Sequence, residues 1–408
     1  MKKKQTAFNK INNLVLANLQ SIFCFDRVRS KFFVHIIELW FTMPFRYTFL
    51  NMGRVGNYCE RTYRANFDRS IDFVSFNASV IKKSCSQDLI GAFDPSFIPK
   101  SGKLTPGLGK FWNGTAQSAL KGLEISSLAI IDVQSSTAMS LEVVQTPSKE
   151  VLEMNNLNLV SHYVSIIAKQ LPILKTMIKY LTVDGYFMKR DFVLPLLDLE
   201  LDVITKMRPD ANLNYIYNGK QRKGKGRPKA FDGKVDCQNI DKRRILKVFE
   251  NDEVIYYSGI VYSISLKRKV RILYLEHRDT KKYQIFMCTD INIEPKLIIE
   301  YYKLRFQIEF LIRDAKQHCG LEECQARSEK KLYNHFNFSL TAVTVAKASV
   351  WLSLPKQERE AFSMRNIKIM YYNKFITERI FSNLGLDLSC KKIKKLYDEC
   401  LDIGNLAA

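Results

Sequence analysis

The order of apolar runs between residues 85 and 207 is the feature that most constrains the fold of this chain. A short apolar run ends at Asp94, and a second, within the segment IKYLTVDGYF, ends at Asp184. The other elements expected here are a hairpin of β-branched strands at 124–134 and 138–146, helices at 156–178 and 188–197, and a strand at 202–207. Strands and helices in this order predict a mixed sheet in an α/β layer.

Asp94 and Asp184 are expected at the same edge of that sheet. In open α/β sheets, ligand-binding groups follow the carboxyl ends of strands, and each aspartate ends an apolar strand. Taken singly, an aspartate in such a position is more often a turn or capping residue. The pair becomes a candidate site because a third carboxylate, Glu309, lies on a helix whose apolar side must face the same sheet.

That helix is expected over residues 301–320, YYKLRFQIEFLIRDAKQHCG. At about 100° per residue, a polar stripe about 60° wide contains Tyr302, Arg305, Glu309 and Lys316. The opposite, apolar face contains Leu304, Ile308, Leu311, Ile312 and Ala315. Either the stripe is a solvated face, on which Arg305 and Glu309 form an i,i+4 pair that contributes roughly a few tenths of a kcal/mol, or it faces a polar ligand.

The charge of the chain narrows the choice of ligand. Its 408 residues have a formal net charge of +22 and a pI near 9.5, which indicates a polyanionic partner, most often nucleic acid. A membrane surface is the rival interpretation, but the apolar stretch 339–354 is interrupted by Lys347 and is too short to span a bilayer. Because no secretory segment is recognisable either, we expect a cytoplasmic protein without a membrane partner.

The first 83 residues are basic, with 14 Lys/Arg against 5 Asp/Glu, and are expected to be helical. Segment 49–67 predicts two short helices that meet at Gly56, the second of which carries Arg61 and Arg64. Such a pair suits a helix-turn-helix whose second helix enters a DNA groove, although many small helical hairpins share the pattern.

A second basic region covers residues 208–282, with 19 Lys/Arg against 9 Asp/Glu. Strands expected at 254–264 and 269–276, followed by one at 283–289, predict an all-β insertion on the α/β core. The insertion opens with NGKQRKGKGRPKAFDGK, a run that is by default a solvated loop. Because the whole region is basic, we expect the run to follow phosphates. The residues concerned are Arg222, Lys223, Lys225 and Arg227.

The three carboxylates Asp94, Asp184 and Glu309 suit a hard cation. Without a histidine among them they favour Mg²⁺ over zinc. Two such ions can activate a water or a 3′-hydroxyl and stabilise the leaving oxygen of a phosphodiester. The nine cysteines do not form a competing site, because they are scattered and lack a CxxC pair; this pattern is typical of reduced thiols in a cytosolic protein.

The helix also resembles the signature of a known family. Tyr302, Arg305, Glu309 and Lys316 match Tyr-x2-Arg-x3-Glu-x6-Lys at every position. This is the mark of the DDE transposases of bacterial insertion sequences, in insertion-sequence family four. FDPSFIPKSGK resembles the family's first-aspartate segment and VDGYF its second, and the resemblance covers about residues 85–345.

The resemblance implies an α/β fold with a ribonuclease-H-like mixed-sheet core, an all-β insertion before the glutamate helix, and helical N- and C-terminal regions. The expected domains are a helical DNA-end-binding domain at 1–83, the catalytic core at 84–207 and 283–330, the basic β-rich insertion at 208–282, and a helical region at 331–408.

The resemblance further implies that Asp94, Asp184 and Glu309 are catalytic and bind two Mg²⁺ ions, for which Mn²⁺ may substitute. Tyr302, Arg305 and Lys316 would hold the phosphates at the transposon end, and Lys100 is expected to contact DNA. The implied activity is cut-and-paste transposition. A homodimer would cleave double-stranded DNA at the terminal inverted repeats and transfer the strands to target DNA.

Two alternatives stay open at this point. A catalytically silent or domesticated copy would bind DNA without cutting it, and a structure-specific nuclease of the same fold would cut without joining strands. The hairpin route is a further open point. Relatives use a tryptophan of the insertion to stabilise a flipped base, whereas Trp40, Trp112 and Trp351 all lie outside it. Tyr215, Tyr217 or Phe231 would then substitute, or the route differs.

Overall fold

A computed structural model describes residues 2–20, 22, 26–221 and 227–405. The chain forms two compact units. The first comprises Met1–Gln87, Pro95–Ser148 and Gln307–Ala408, and the second comprises Asp88–Asp94 and Lys149–Phe306. The α/β fold class predicted from the sequence is confirmed as a mixed α/β structure with a large mixed sheet and additional helices.

The N-terminal part of the first unit is helical, as the sequence predicts. Its helices are α1 (Lys2–Leu19), α2 (Arg27–Thr42), α3 (Phe49–Val55), α4 (Glu60–Asn66) and α5 (Phe73–Ser84). In α2 the residues Phe33, Ile36, Ile37 and Trp40 are all buried and follow the i, i+3, i+4, i+7 spacing of one helix face. The two short helices expected within 49–67 are confirmed as α3 and α4.

The rest of the first unit combines a β-hairpin with C-terminal helices. Its strands are the second half of β1 (Leu89–Pro99), β2 (Gly109–Asn113), β3 (Ser118–Asp132) and β4 (Thr137–Gln145). Its helices are α11 (Phe306–His318), α12 (Glu329–Ala346), α13 (Met364–Asn383) and α14 (Lys391–Leu401). Helix α12 is held to β4 by Asn337, whose side chain donates to the Val143 carbonyl (2.8 Å) and accepts from the Val143 N–H (3.0 Å).

The second unit contains a mixed sheet in the order β1, β5, β6, β12, β11, β10, β7, β8. The strands after β1 are β5 (Tyr180–Val183), β6 (Asp202–Met207), β7 (Leu213–Ile216), β8 (Phe231–Lys234), β9 (Leu246–Glu250), β10 (Val254–Ser263), β11 (Arg268–His277) and β12 (Tyr283–Cys288). The helices are α6 (Lys149–Met154), α7 (Leu159–Lys169), α8 (Leu171–Leu174), α9 (Arg190–Asp198) and α10 (Pro295–Leu304). The β1–β5 and β5–β6 pairs are parallel, and the pairs beyond β6 are antiparallel.

The strands expected in the basic insertion are confirmed, but they do not lie on the core as a separate layer. β12 pairs with β6 on one side and with β11 on the other, and β10 pairs with β11 over its whole length. The insertion therefore lengthens the sheet of the second unit. Backbone groups at the open side of β6 find partners in this way, which explains the arrangement because an unpaired strand edge is unfavourable.

Two expectations about element boundaries are wrong. Asp94 does not end its strand, because β1 continues to Pro99. The continuation is packed closely in the first unit, where a Cβ atom at Gly122 would lie 2.5 Å from the Ile98 carbonyl oxygen.

The helix expected over 301–320 is also not continuous. It is divided into α10 and α11 at Arg305, whose N–H donates to the Tyr302 carbonyl oxygen three residues back at 3.2 Å. The tighter turn at this residue interrupts the single continuous helix that the sequence predicts.

Two absences expected from the sequence concern membranes and disulfides. Among the described residues, no helix has both the length and the apolar character needed to cross a bilayer. Eight cysteines are described and all are free thiols; Cys24 lies outside the described residues.

Candidate active site

Asp94 lies within β1, and Asp184 directly follows β5, its parallel neighbour in the second unit. β1 and β5 pair with Ala92 opposite Thr182, and continuing this register by two residues brings Asp94 opposite Asp184. Asp184 has an extended backbone, with φ −73° and ψ 174°, which is compatible with that continuation. Residues in register on neighbouring strands, about 4.8 Å apart, present their side chains to the same face. The two carboxylates therefore share one face.

The backbone around Asp184 is fixed by its neighbours. The Asp184 side chain accepts a hydrogen bond from the Tyr186 N–H at 2.8 Å and caps a short 3₁₀ turn. Its carbonyl oxygen accepts from the buried Thr205 hydroxyl of β6 at 2.7 Å. A Cβ atom at Gly185 would lie 3.2 Å from the Lys206 carbonyl oxygen, so only a residue without a side chain fits comfortably there. One carboxylate oxygen is thereby oriented by the turn.

The same face continues across the sheet to Tyr302. Val183 lies opposite Thr205 in the β5–β6 register, so Lys206 comes beside Asp184 one residue further along, and Phe286 lies opposite Lys206 in the β6–β12 register. The Phe286 ring contacts the Tyr302 ring, with centroids 4.7 Å apart. Helix α10 therefore covers the face that presents Asp94 and Asp184.

Arg305 follows α10 and is almost fully buried, with 5% of its surface exposed. Its guanidinium carbon lies 5.7 Å from the Tyr302 ring centroid and 4.6 Å from that of Phe306. Tyr302 itself is 9% exposed. The interpretation of these two residues as part of a solvated face is therefore wrong, because aromatic rings cover both groups.

Glu309 and Lys316 belong to the first unit. Glu309 is exposed in the first turn of α11. The Lys316 ammonium donates to the Phe97 carbonyl oxygen at 2.6 Å and forms an ion pair with Glu322 at 3.1 Å. Lys316 thus connects α11 to the second half of β1, and its role toward phosphates stays a prediction.

Lys100 binds the segment that follows α11. Its ammonium donates to the carbonyl oxygens of Glu322, at 3.0 Å, and of Cys324. Burial lowers the pKa of Lys100, while the nearby Cys324, Glu322 and Glu323 act in the opposite direction. The resting structure gives Lys100 a structural role, and contact with DNA stays a prediction.

The carboxylate pair fits a hard cation in chemical type. Asp94 and Asp184 offer oxygen donors on one face of the sheet, which is the donor type that Mg²⁺ prefers. Among the described residues, no group of three or more His, Cys, Asp or Glu side chains is already arranged to hold a metal ion. The participation of Glu309 as the third ligand stays a prediction.

The DNA contacts predicted elsewhere have different surroundings. Arg61 is exposed on α4, whereas Arg64 donates to Glu60 at 2.7 Å and lies over the Phe49 ring. Arg227 is exposed in the insertion. Arg222, Lys223 and Lys225 lie outside the described residues.

The three aromatic residues considered for a flipped base all have neighbours in the second unit. Tyr215 is buried and its hydroxyl accepts from the Asp241 N–H. The Lys229 ammonium lies 4.7 Å from the centroid of the Tyr217 ring, and Phe231 packs against Tyr262. A contact between one of these three residues and a flipped base stays a prediction.

Sequence reasoning missed Lys206 and Tyr186 as neighbours of the aspartates. Lys206 comes beside Asp184 one residue beyond the Val183–Thr205 pair of β5 and β6. Tyr186 is 45% exposed, and the Lys189 ammonium lies 3.4 Å from its ring centroid. Tyr186 was visible in the VDGYF segment. Lys206 gave no signal, because strand register is not readable from one sequence.

Comparison with known proteins gives a family match over part of the chain. Residues 161–345 match the family model described as Transposase DDE domain; the match includes Asp184 and Glu309 but not Asp94. No curated protein matches the chain. Among solved structures, the chain is similar to the piggyBac transposase in a cryo-EM structure of its synaptic complex with hairpin DNA. That likeness has a TM-score of 0.41 at 10% identity and covers 99% of this chain and 84% of that chain, which is too low to support a function.

Proposed function

We propose that the protein is a DDE transposase that cleaves DNA at transposon ends and transfers the strands to target DNA. The observation that supports this most directly is the parallel pairing of β1 with β5, whose register, continued by two residues from Ala92 and Thr182, brings Asp94 opposite Asp184. The match of residues 161–345 to a transposase DDE domain supports the same function independently of the pairing. The net charge of +22 suits a DNA substrate.

Asp94, Asp184 and Glu309 would hold two divalent ions, Mg²⁺ or Mn²⁺. Bound there, the ions would activate the attacking oxygen and stabilise the leaving oxygen. The chain's own contribution is to keep Asp184 in place: the Thr205 hydroxyl holds its carbonyl group, and the Tyr186 N–H orients its carboxylate. Asp184 needs little rearrangement to act as a ligand, because its backbone is already fixed.

Arg305 would bind a phosphate of the substrate strand. A guanidinium can hold a phosphate through two hydrogen bonds, and in this chain the rings of Tyr302 and Phe306 restrict its orientation. Restricting a side chain before binding lowers the entropy lost on binding. The aromatic contacts therefore support a phosphate-binding role for Arg305.

The reaction needs no external energy source. In hydrolysis, a water oxygen forms a bond to phosphorus while the bond from phosphorus to the 3′-oxygen breaks. In strand transfer, the freed 3′-hydroxyl attacks a target phosphodiester, one P–O bond replaces another, and the proton passes to solvent. The number of phosphodiester bonds is unchanged in the joining step.

The test uses a supercoiled plasmid that contains the coding region with its flanking DNA. The wild-type chain should cut the plasmid when Mg²⁺ or Mn²⁺ is added and should not cut in a chelator. Asp184→Ala should reduce cleavage by at least about 100-fold, since a metal ligand is lost, and should leave DNA binding nearly unchanged. Asp198→Ala, at the exposed end of α9, is the matched control and should cut normally.

Two results would contradict the proposal. If the wild-type chain binds the plasmid but never cuts it in either metal, the protein is a silent DNA-binding protein. If it cuts but no joined products form with a second plasmid, it is a nuclease of another kind.

A further inference from the structure

A basic cleft lies in the second unit where β6 and β11 end and β12 begins. Its volume is about 620 Å³. Its lining includes three lysines, a histidine and a tyrosine, namely Lys206, Lys281, Lys282, His277 and Tyr283. Met207 and Ile285 give part of the wall an apolar character. The cleft thus combines an apolar wall with positive charge.

Lys206 places one side of the cleft near the candidate active site. β5 and β6 pair up to Val183 opposite Thr205, so one residue further along this register Lys206 comes beside Asp184, about 4.8 Å between backbones. Met207 and Ile285, which pair with each other, alternate with Lys206 and Phe286 along their strands and belong to the opposite face of the sheet.

The lysines of the cleft have few carboxylate partners. Within the described part of the chain, no carboxylate lines the cleft, and none of Lys206, Lys281 and Lys282 forms an ion pair. Lys281 is one of the cations that lower the pKa of the nearby Glu276, but the ion pair of Glu276 is with Lys242, at 3.0 Å. An anion would therefore meet three ammonium groups without breaking an ion pair.

A second cleft of the same unit shows the opposite arrangement. It also has a volume of about 620 Å³ and is lined by Arg243, Arg244 and Asp232. Arg243 is paired with Asp241 at 3.1 Å, and Arg244 is paired with Asp232 and Asp241. Because its guanidinium groups already have carboxylate partners, this cleft is a poorer site for an anion.

The hairpin between β11 and β12 holds Lys281 and Lys282 in exposed positions. The Lys281 N–H donates to the His277 carbonyl oxygen at 3.0 Å, and the His277 N–H donates to that of Lys282 at 2.9 Å. Lys281 has a φ of +55°, a conformation that side chains other than glycine adopt rarely. The backbone of the turn is thus closed by its own hydrogen bonds, and both side chains remain in solvent.

We propose that this cleft binds the sugar-phosphate backbone of DNA. The three ammonium groups contact phosphates, and the apolar wall with Tyr283 contacts the sugar or base. The inference rests on the proposed function and adds a binding surface to it.

The test compares two hairpins at opposite ends of β11. Lys281→Gln/Lys282→Gln removes two charges from the cleft. Lys267→Gln/Lys269→Gln removes two exposed charges at the other end of β11, one in the β10–β11 turn and one at the start of the strand. Lys267 also has a positive φ, +51°. The two turns are separated by the ten residues of β11, about 30 Å at the rise of a strand. The two double variants therefore remove the same charge, and each changes one lysine at positive φ.

The measurement is the affinity for a random-sequence 30-base-pair duplex, followed by fluorescence anisotropy over a range of salt concentrations. Each phosphate contact contributes about 0.9 to the slope of log K against log salt. The cleft variant should therefore lower the slope by about 1.8 and weaken binding at least tenfold at low salt. The control should change the slope by less than half as much. Lys281→Arg/Lys282→Arg keeps both charges and should bind the duplex as the wild-type chain does.

Equal losses in both double variants, or an unchanged slope in the cleft variant, would overturn the inference. The inference would also be overturned if the cleft variant lost binding to heparin, a polyanion without bases or deoxyribose, but kept full affinity for DNA. Unchanged melting temperatures show that the variants are folded. The proposed function fails by a different result, namely the absence of metal-dependent cleavage by the wild-type chain on the plasmid, so the two failures are distinguishable.

Discussion

Helices α10 and α11 contain one signature in sequence, but their polar residues are held in different ways. Tyr302 and Arg305 follow the packing of α10: one ring rests on Phe286, and the guanidinium is covered by rings. Glu309 of α11 is exposed, and Lys316 is held by the Phe97 carbonyl oxygen and by Glu322. Residues that share one motif can therefore differ in how much they contribute to stability and to chemistry.

The largest expected effect separates chemistry from packing. Glu309→Ala should lower metal-dependent plasmid cleavage by at least about 100-fold, because the proposed third metal ligand is lost, while the melting temperature changes little for so exposed a side chain. Glu300→Ala, on the neighbouring helix α10, is the control and should cut normally. Normal cleavage by the Glu309 variant would remove this residue from the metal site.

Arg305→Ala should affect both stability and activity. Loss of the contacts with Tyr302 and Phe306 should lower the free energy of unfolding by about 2 kcal/mol, as for a desolvated cation–π contact. Cleavage should fall several-fold or more. Arg305→Lys should recover part of the activity, since it keeps the charge without the two-bonded fork. Urea unfolding and cleavage are measured on the same variants. A loss of stability with full cleavage would give Arg305 a structural role alone.

Lys316→Met keeps most of the side-chain volume but removes the ammonium group. The free energy of unfolding should fall by about 1–2 kcal/mol, because the Phe97 carbonyl oxygen loses its charged donor. The ion pair with Glu322 is partly exposed and contributes little of this. Glu322→Gln tests that point and should change stability by less than about 0.5 kcal/mol. An unchanged free energy of unfolding in the Lys316 variant would show that the ammonium group does not stabilise the fold.

Tyr302→Phe is expected to have the smallest effect. The ring and its contact with Phe286 remain, and only the hydroxyl is removed. Cleavage should fall by about twofold or less, and stability should change by less than about 0.5 kcal/mol. Tyr302→Ala, which removes the ring, should cost about 3 kcal/mol or more. If the two variants lost cleavage equally, the hydroxyl would be the functional group.

Sequence periodicity predicted elements well where an apolar run has clear ends. The strand expected at 202–207 is β6 with the same bounds, and the pair of strands in the hairpin before it is also present. Features that depend on distant parts of the chain were not predictable. The extension of β1 past Asp94 depends on pairing in the first unit.

The division of the helix at Arg305 was hidden for a local reason. Arg305 keeps helical dihedral angles, with φ −49° and ψ −37°, and its neighbours have no glycine or proline. Because helix breaks are predicted from glycine and proline, this break could not be predicted from the sequence. The aspartate pair was predictable because each residue follows an apolar run, whereas the neighbour Lys206 required the strand register.

The left-handed conformation of Lys281 sets turn stability against charge. A lysine at positive φ costs roughly 1 kcal/mol relative to glycine, so Lys281→Gly should tighten the hairpin while it removes an ammonium group from the cleft. The same replacement at Lys267 would relieve the strain without touching the cleft. A laboratory selection for heat resistance alone would therefore be expected to accept glycine at both turns. A selection for the proposed transposition activity would keep the lysine only at position 281.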